Sequence, residues 1–162
     1  VNVMKKLQDP VYIELDSDLV LDEKKKKKEI ENTLKTEEEL ISSGKTVVVY
    51  TKRKLLVVEN DTKEDALIRS VKISDAVQSL VGKLKVTPAF VIAKGGITSS
   101  DVGTKALQVR KANVLGQICP GIPVWQTGAE SKFPMIPYII FPGNVGEVTT
   151  LKKAVEILLN RK

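Results

Sequence analysis

Histidine is missing from this sequence altogether. That removes serine–histidine–aspartate and cysteine–histidine mechanisms, histidine-ligated zinc and the commonest general base. Any chemistry must use carboxylates, lysine, backbone amides or a second domain. One cysteine, Cys119, excludes an internal disulfide and a cysteine-cluster metal site. It suits a reducing, cytoplasmic compartment, or is a small buried filler. No apolar run approaches the roughly 18 residues that a membrane span requires, so no membrane role is expected. The first residues, Val1-Asn2-Val3-Met4-Lys5-Lys6, lack a signal-peptide core and open inside an apolar-periodic pattern, as expected of a chain cut from something longer.

What is present is ordinary for a globular domain. The 162 residues are 42% hydrophobic and 28% charged, enough for one domain with a core. The net charge of +6 owes five positives to one run, Lys24-Lys25-Lys26-Lys27-Lys28. Acids follow closely, and the spacing of Lys27 to Glu31 is that of a solvated helix face. A nucleic-acid surface is the rival reading, but no aromatic residues interleave with the lysines, so no nucleic-acid partner is expected.

The apolar pattern alternates between short buried runs and amphipathic stretches. Strands are expected at 11–15, 46–50, 89–93, 114–118, 122–125 and 138–141, with residues 55–58 either a strand or a loop. Helices are expected at 22–43, ending at Gly44, at 73–84, at 100–109 with Ser99 or Ser100 as cap, and from about 147–150 onward. Residues 59–72 are polar and read as a loop with a helical turn. This order predicts an α/β fold: a mainly parallel sheet with helices on both faces, a Rossmann-like three-layer architecture.

In such sheets ligands bind beyond the carboxyl ends of the strands. Two segments there carry unusual chemistry. Lys94-Gly95-Gly96-Ile97-Thr98-Ser99-Ser100 follows one strand and opens a helix. Its glycines let backbone amides approach a ligand, and the helix start adds free amides and partial positive charge, which suits a phosphate. Phe141-Pro142-Gly143-Asn144-Val145-Gly146 follows another strand and has the same parts. Neither is a Walker A loop or a dinucleotide fingerprint, and each alone is also an ordinary tight turn. Lys94 either neutralises phosphate charge or is a surface lysine. Trp125 either stacks on an adenine or is a partly buried core aromatic. Asp101 either helps bind magnesium or stabilises a helix dipole.

At these loops the sequence resembles the C-terminal, nucleotide-binding domain of the four-carbon acid sugar kinase family. The resemblance runs from about Thr46 to the end. It rests on the Gly95-Gly96-Ile97-Thr98 turn, the stretch Gly-Gln-Ile-Cys-Pro-Gly-Ile-Pro at 116–123, and the Gly143-Asn144-Val145-Gly146 turn. It implies that residues 1–162 are a single nucleotide-binding domain, a C-terminal fragment of a two-domain kinase. Its N-terminal partner domain would bind the sugar acid and supply the catalytic acid. The implied ligands are ATP with Mg2+, or ADP, held by Lys94, Gly95, Gly96, Thr98, Ser99, Gly143, Asn144 and Gly146. No residue here is an evident base for a sugar hydroxyl, so the domain alone is expected to be inactive. Two positions depart from the family pattern: Ile97 stands where many members have an acid, and Phe141 where many have a lysine. The alternative is a non-catalytic nucleotide-binding or regulatory domain. Homo-oligomerisation is left open.

Overall fold

The computed structural model describes residues 10–52 and 62–160. Residues 55–58, a strand or a loop by sequence, lie outside them. The chain divides near Val86 into two compact units.

The first unit is a parallel strand pair covered by helices. Strand β1 (Val11–Leu15) pairs with β2 (Val47–Thr51), in register from Val11 opposite Val47 to Leu15 opposite Thr51. Between them run a short α1 (Ser17–Leu21), capped by the Asp16 carboxylate, and α2 (Lys26–Ser42). The long helix expected at 22–43 is therefore shorter. The Asp22 carboxylate accepts the Lys24 and Lys25 amides and turns the chain ahead of α2. Gly44 ends that helix with φ +79°, a conformation that a Cβ disfavours. Leu15, Val20, Ile30, Ala76 and Leu80 form the core, with Leu34, Val49, Ile73 and Val77 packed against it.

Helix α3 (Lys63–Gly82) corrects the sequence reading. Residues 63–72, expected to be a loop with a turn, are its first half. The signal was a capping box: Thr62 accepts the Asp65 amide at 3.1 Å while the Asp65 carboxylate accepts the Thr62 amide at 3.3 Å. Two orphan amides are thereby satisfied, so the helix starts without a buried apolar face; Leu67, Ile68 and Val71 in this half are exposed.

In the lysine run, Lys24, Lys25, Lys27 and Lys28 are exposed. Lys25 pairs with Asp22 at 3.2 Å and Lys27 with Glu31 at 3.8 Å, as a solvated face requires.

The second unit holds a four-stranded sheet in the order β3-β6-β5-β4. Strand β3 (Val91–Lys94) lies parallel to β6 (Pro137–Phe141), with Val91 opposite Tyr138 and Lys94 opposite Phe141. Strands β4 (Ala112–Cys119) and β5 (Ile122–Thr127) form an antiparallel hairpin, and β5 is also antiparallel to β6. After β3 come α4 (Gly96–Asp101) and a π-helical turn (Val102–Ala106); α5 (Thr150–Leu159) closes the chain.

The α/β class and its sheets flanked by helices stand as expected. The two-stranded sheet of the first unit is parallel, whereas the four-stranded sheet of the second is mixed: β3–β6 is parallel, and β5–β6 and the β4–β5 hairpin are antiparallel. Ile122, Val124, Ile139 and Phe141 make the core, with Ile92, Ile118, Val145, Leu151 and Leu158 packed on it. Each such side chain contributes about 1.5–3 kcal/mol when fully buried.

Candidate functional site

Because β3 and β6 are parallel neighbours, the segments that follow them emerge side by side at one sheet edge. The Gly95 amide donates to the Phe141 carbonyl at 2.9 Å and extends the pairing by one bond into the turns. Gly95 then takes φ +107° and ψ 146°, a region that essentially only glycine enters. The chain turns directly into α4. This corrects the expected helix start at Ser100: the paired glycines themselves make the entry, and no serine side chain caps it. The first intrahelical bond runs from the Ser99 amide to the Gly95 carbonyl at 2.9 Å. Helix geometry therefore leaves the amides of Gly96, Ile97 and Thr98 without intrahelical acceptors.

The second turn closes against the first. A Cβ placed on Gly143 would stand 3.8 Å from the Gly95 Cα, while Gly96 has open space around it. The cradle between the turns is thus walled by bare backbone. The Lys94 ammonium bridges it, 3.3 Å from the Gly143 carbonyl and 4.8 Å from the centre of the Phe141 ring. Thr98 lies beside Gly95, its Oγ1 3.8 Å from where a Gly95 Cβ would be. Asn144 is exposed on the second turn. Gly146, at φ +80°, has no room for a side chain, because a Cβ there would come within 2.7 Å of the Thr150 Oγ1. That hydroxyl accepts the Glu147 amide at 2.8 Å and leads the turn into α5.

The family whose description is nucleotide-binding C-terminal domain matches residues 2–151. The chain belongs to that family. This nucleotide-binding domain also shares its fold with solved structures. A Haemophilus influenzae protein of family DUF1537 is 22% identical with a TM-score of 0.67, over 96% of this chain and 37% of that one. A domain of unknown function, DUF1537, from Bordetella bronchiseptica is 15% identical with a TM-score of 0.66, over 99% of this chain and 37% of that one. The latter was solved as a domain-swapped dimer with bound citrate. The nucleotide-binding domain thus spans little more than a third of the length of these structural relatives. No functionally curated protein matches it.

Most of the residues singled out in the sequence meet at this one edge: Lys94, Gly95, Gly96, Thr98, Gly143, Asn144 and Gly146 lie on the two turns. Ser99 does so in a different capacity. It is buried, and its single hydroxyl proton is shared between the carbonyls of Gly95 at 2.6 Å and Ala93 at 2.9 Å, so it knits the turn from beneath. Ile97, one of the two departures from the family pattern that the resemblance implied, is 72% exposed. Phe141, the other such departure, fills the core and offers its ring to Lys94.

Two candidates are not brought to the turns. Trp125 is opposite Tyr138, three residues of strand before Phe141, about 10 Å back along the sheet; it is a half-buried strand aromatic. The Asp101 carboxylate pairs with Lys105 at 3.1 Å, within the helical segment. Among the described residues no cluster of acids and cysteine could hold a metal ion, and no helix is long and apolar enough to cross a membrane.

Two further residues support the site: Gly121, inside the 116–123 stretch that carried the resemblance but had no assigned role, and Tyr138, which the sequence reading placed only in a strand. The hairpin tip is one: a Cβ on Gly121, at φ +76°, would meet Val145 Cγ1 at 2.9 Å, so the β4–β5 turn abuts the second glycine turn. The other is Tyr138. Its hydroxyl donates to the Ser99 carbonyl at 2.5 Å and accepts the Gly103 amide. Burial pushes its pKa above the ordinary 10, so it remains a donor.

Proposed function

We propose that this chain is the ATP-holding domain of a two-domain kinase that phosphorylates a four-carbon sugar acid. The observation that carries the reading is the approach of Gly143 to Gly95, which leaves a cradle that a side chain would fill. Phosphate oxygens are acceptors only, and the cradle offers main-chain donors and one ammonium. In this reading the amides of Gly96, Ile97 and Thr98, with the Thr98 hydroxyl, hold one phosphate. Gly143, Asn144 and Gly146 shape the wall for the next, and Lys94 offsets the charge between them. Ser99 holds the turn.

Mg2+ would arrive on the nucleotide's own phosphates, as it commonly does. Phosphoryl transfer rests mainly on positioning and electrostatic stabilisation, so a chain without histidine is suited to it. The sugar acid and the base for its hydroxyl belong to the N-terminal domain of the parent, and the length of the structural relatives leaves room for one. The isolated domain binds nucleotide and transfers nothing. The lone Cys119 suits a reducing cytoplasm.

Calorimetric titration with Mg-ATP and ADP tests the reading. Gly96→Val and Gly143→Val are the variants of choice, since neither glycine has a positive φ and neither Cβ clashes. The wild type should bind, and each variant should bind at least about tenfold more weakly, a loss of roughly 1.4 kcal/mol, with an unchanged melting curve. No binding by the wild type at millimolar nucleotide overturns the proposal. Binding without phosphoryl transfer, once the N-terminal domain is restored, would make the domain a regulatory nucleotide sensor instead.

A further inference from the structure

The helix that opens at the first glycine turn is not regular. In an α-helix the Gly103 amide would donate to the Ser99 carbonyl, four residues back. Here the Tyr138 hydroxyl stands between them, donating to the Ser99 carbonyl at 2.5 Å and accepting the Gly103 amide. An inserted side chain opens the ladder. The bonds beyond it run further back, from the Leu107 amide to the Val102 carbonyl at 2.8 Å and from the Val109 amide to the Gly103 carbonyl at 2.9 Å. This is the π turn. Gly103 admits the ring, since a Cβ there would come within 3.1 Å of the Tyr138 Cε1.

Tyr138 is 1% exposed and sits on β6, three residues before Phe141. The Phe141 carbonyl fixes the Gly95 amide, and the Ser99 hydroxyl ties the carbonyls of Ala93 and Gly95. One strand therefore grips the first turn at both ends, at Gly95 and, through the inserted hydroxyl, at Ser99. The amides of Gly96, Ile97 and Thr98 lie between these two fixed points.

We propose that Tyr138 is a positioning residue of the nucleotide site, and that its hydroxyl sets the direction of the phosphate-facing amides by holding the helix open at Ser99 and Gly103. This rests on the nucleotide reading above. Without the hydroxyl, the Gly103 amide closes onto the Ser99 carbonyl, the π turn reverts to α-helix, and the helix start rotates away from the second turn. The donors remain but no longer converge, and preorganisation is what gives such donors their strength.

The test is an NMR titration of the whole chain with ADP and with adenosine, for wild type, Tyr138→Phe and Gly103→Ala. Both variants should weaken ADP binding about tenfold and leave adenosine binding unchanged, because only the phosphate contacts depend on the helix direction. The second variant pushes the ring aside and keeps the hydroxyl, so the answer does not hang on one substitution. ADP affinity unchanged in folded variants overturns the inference, as does an equal loss for ADP and adenosine, which would mark general damage. A wild type that binds neither ligand overturns the nucleotide reading itself, and the inference falls with it.

Discussion

The Lys94 ammonium stands 3.3 Å from the Gly143 carbonyl, and so ties the first glycine turn to the second with a charge. An arriving phosphate is a stronger partner for an ammonium than a neutral carbonyl. Lys94→Met should therefore weaken ADP binding about tenfold and flatten its dependence on salt, because screening acts on the lost charge. Lys94→Arg should retain most of the affinity. Lys94 is exposed, so neither change should alter the unfolding midpoint. Titrations at two salt concentrations measure this, and an identical salt slope for wild type and Lys94→Met would remove the lysine from the site.

The two adjacent glycines should answer differently to the same added methyl. Gly95 has φ +107°, whereas Gly96 is in open space as the first residue of α4. Gly95→Ala is expected to cost about 1–2 kcal/mol of stability from backbone strain. Gly96→Ala should fall within about 0.5 kcal/mol of wild type, since alanine favours helix and nothing is struck. Urea unfolding of the two variants decides it; equal destabilisation would show that strain at Gly95 is not what distinguishes them.

Glu37 makes stability depend on pH. It is 7% exposed on α2, and its Oε2 has no hydrogen-bond partner. Desolvation, helped by the neighbouring Glu38 charge, pushes its pKa from 4.5 up to about 8. The folded state thus holds this proton more tightly than the unfolded state. The contribution is fully present below the ordinary value of 4.5 and is lost as pH rises toward about 8. Glu37→Gln should remove that decline. Above pH 8 the variant should exceed the wild type by on the order of 1–3 kcal/mol. Thermal melts from pH 4 to 9 would show it, and parallel curves would refute it.

Much of the site was legible because its signals are local. The glycine pairs, the strand before each and the helix after each are contiguous in the chain, so Gly95, Gly96, Gly143 and Gly146 could be placed on one edge from pattern alone. What escaped depends on distance or on polarity. The apolar residues of the first half of α3, Leu67, Ile68 and Val71, are exposed and set among charges, so Thr62 and Asp65 were the clearest sign of its start. Ser99 looked like a cap because serine often is one, yet the turn above it consumes its hydroxyl. Tyr138 is 39 residues from the carbonyl it binds, and no spacing rule reaches that far. The antiparallel course of β5 was equally hidden, since a buried strand reads the same in either direction.

The cradle is made of main-chain amides and of side chains that are not there. An alanine scan, which works by subtraction, would register Lys94 and Thr98 and pass over the rest: the amides belong to the main chain, and Gly95, Gly96 and Gly143 have nothing to trim. The glycine walls would come to light only in a screen that adds atoms. Their sequence information is stored as vacancy, and drift toward any larger residue at those positions erases it without disturbing the core.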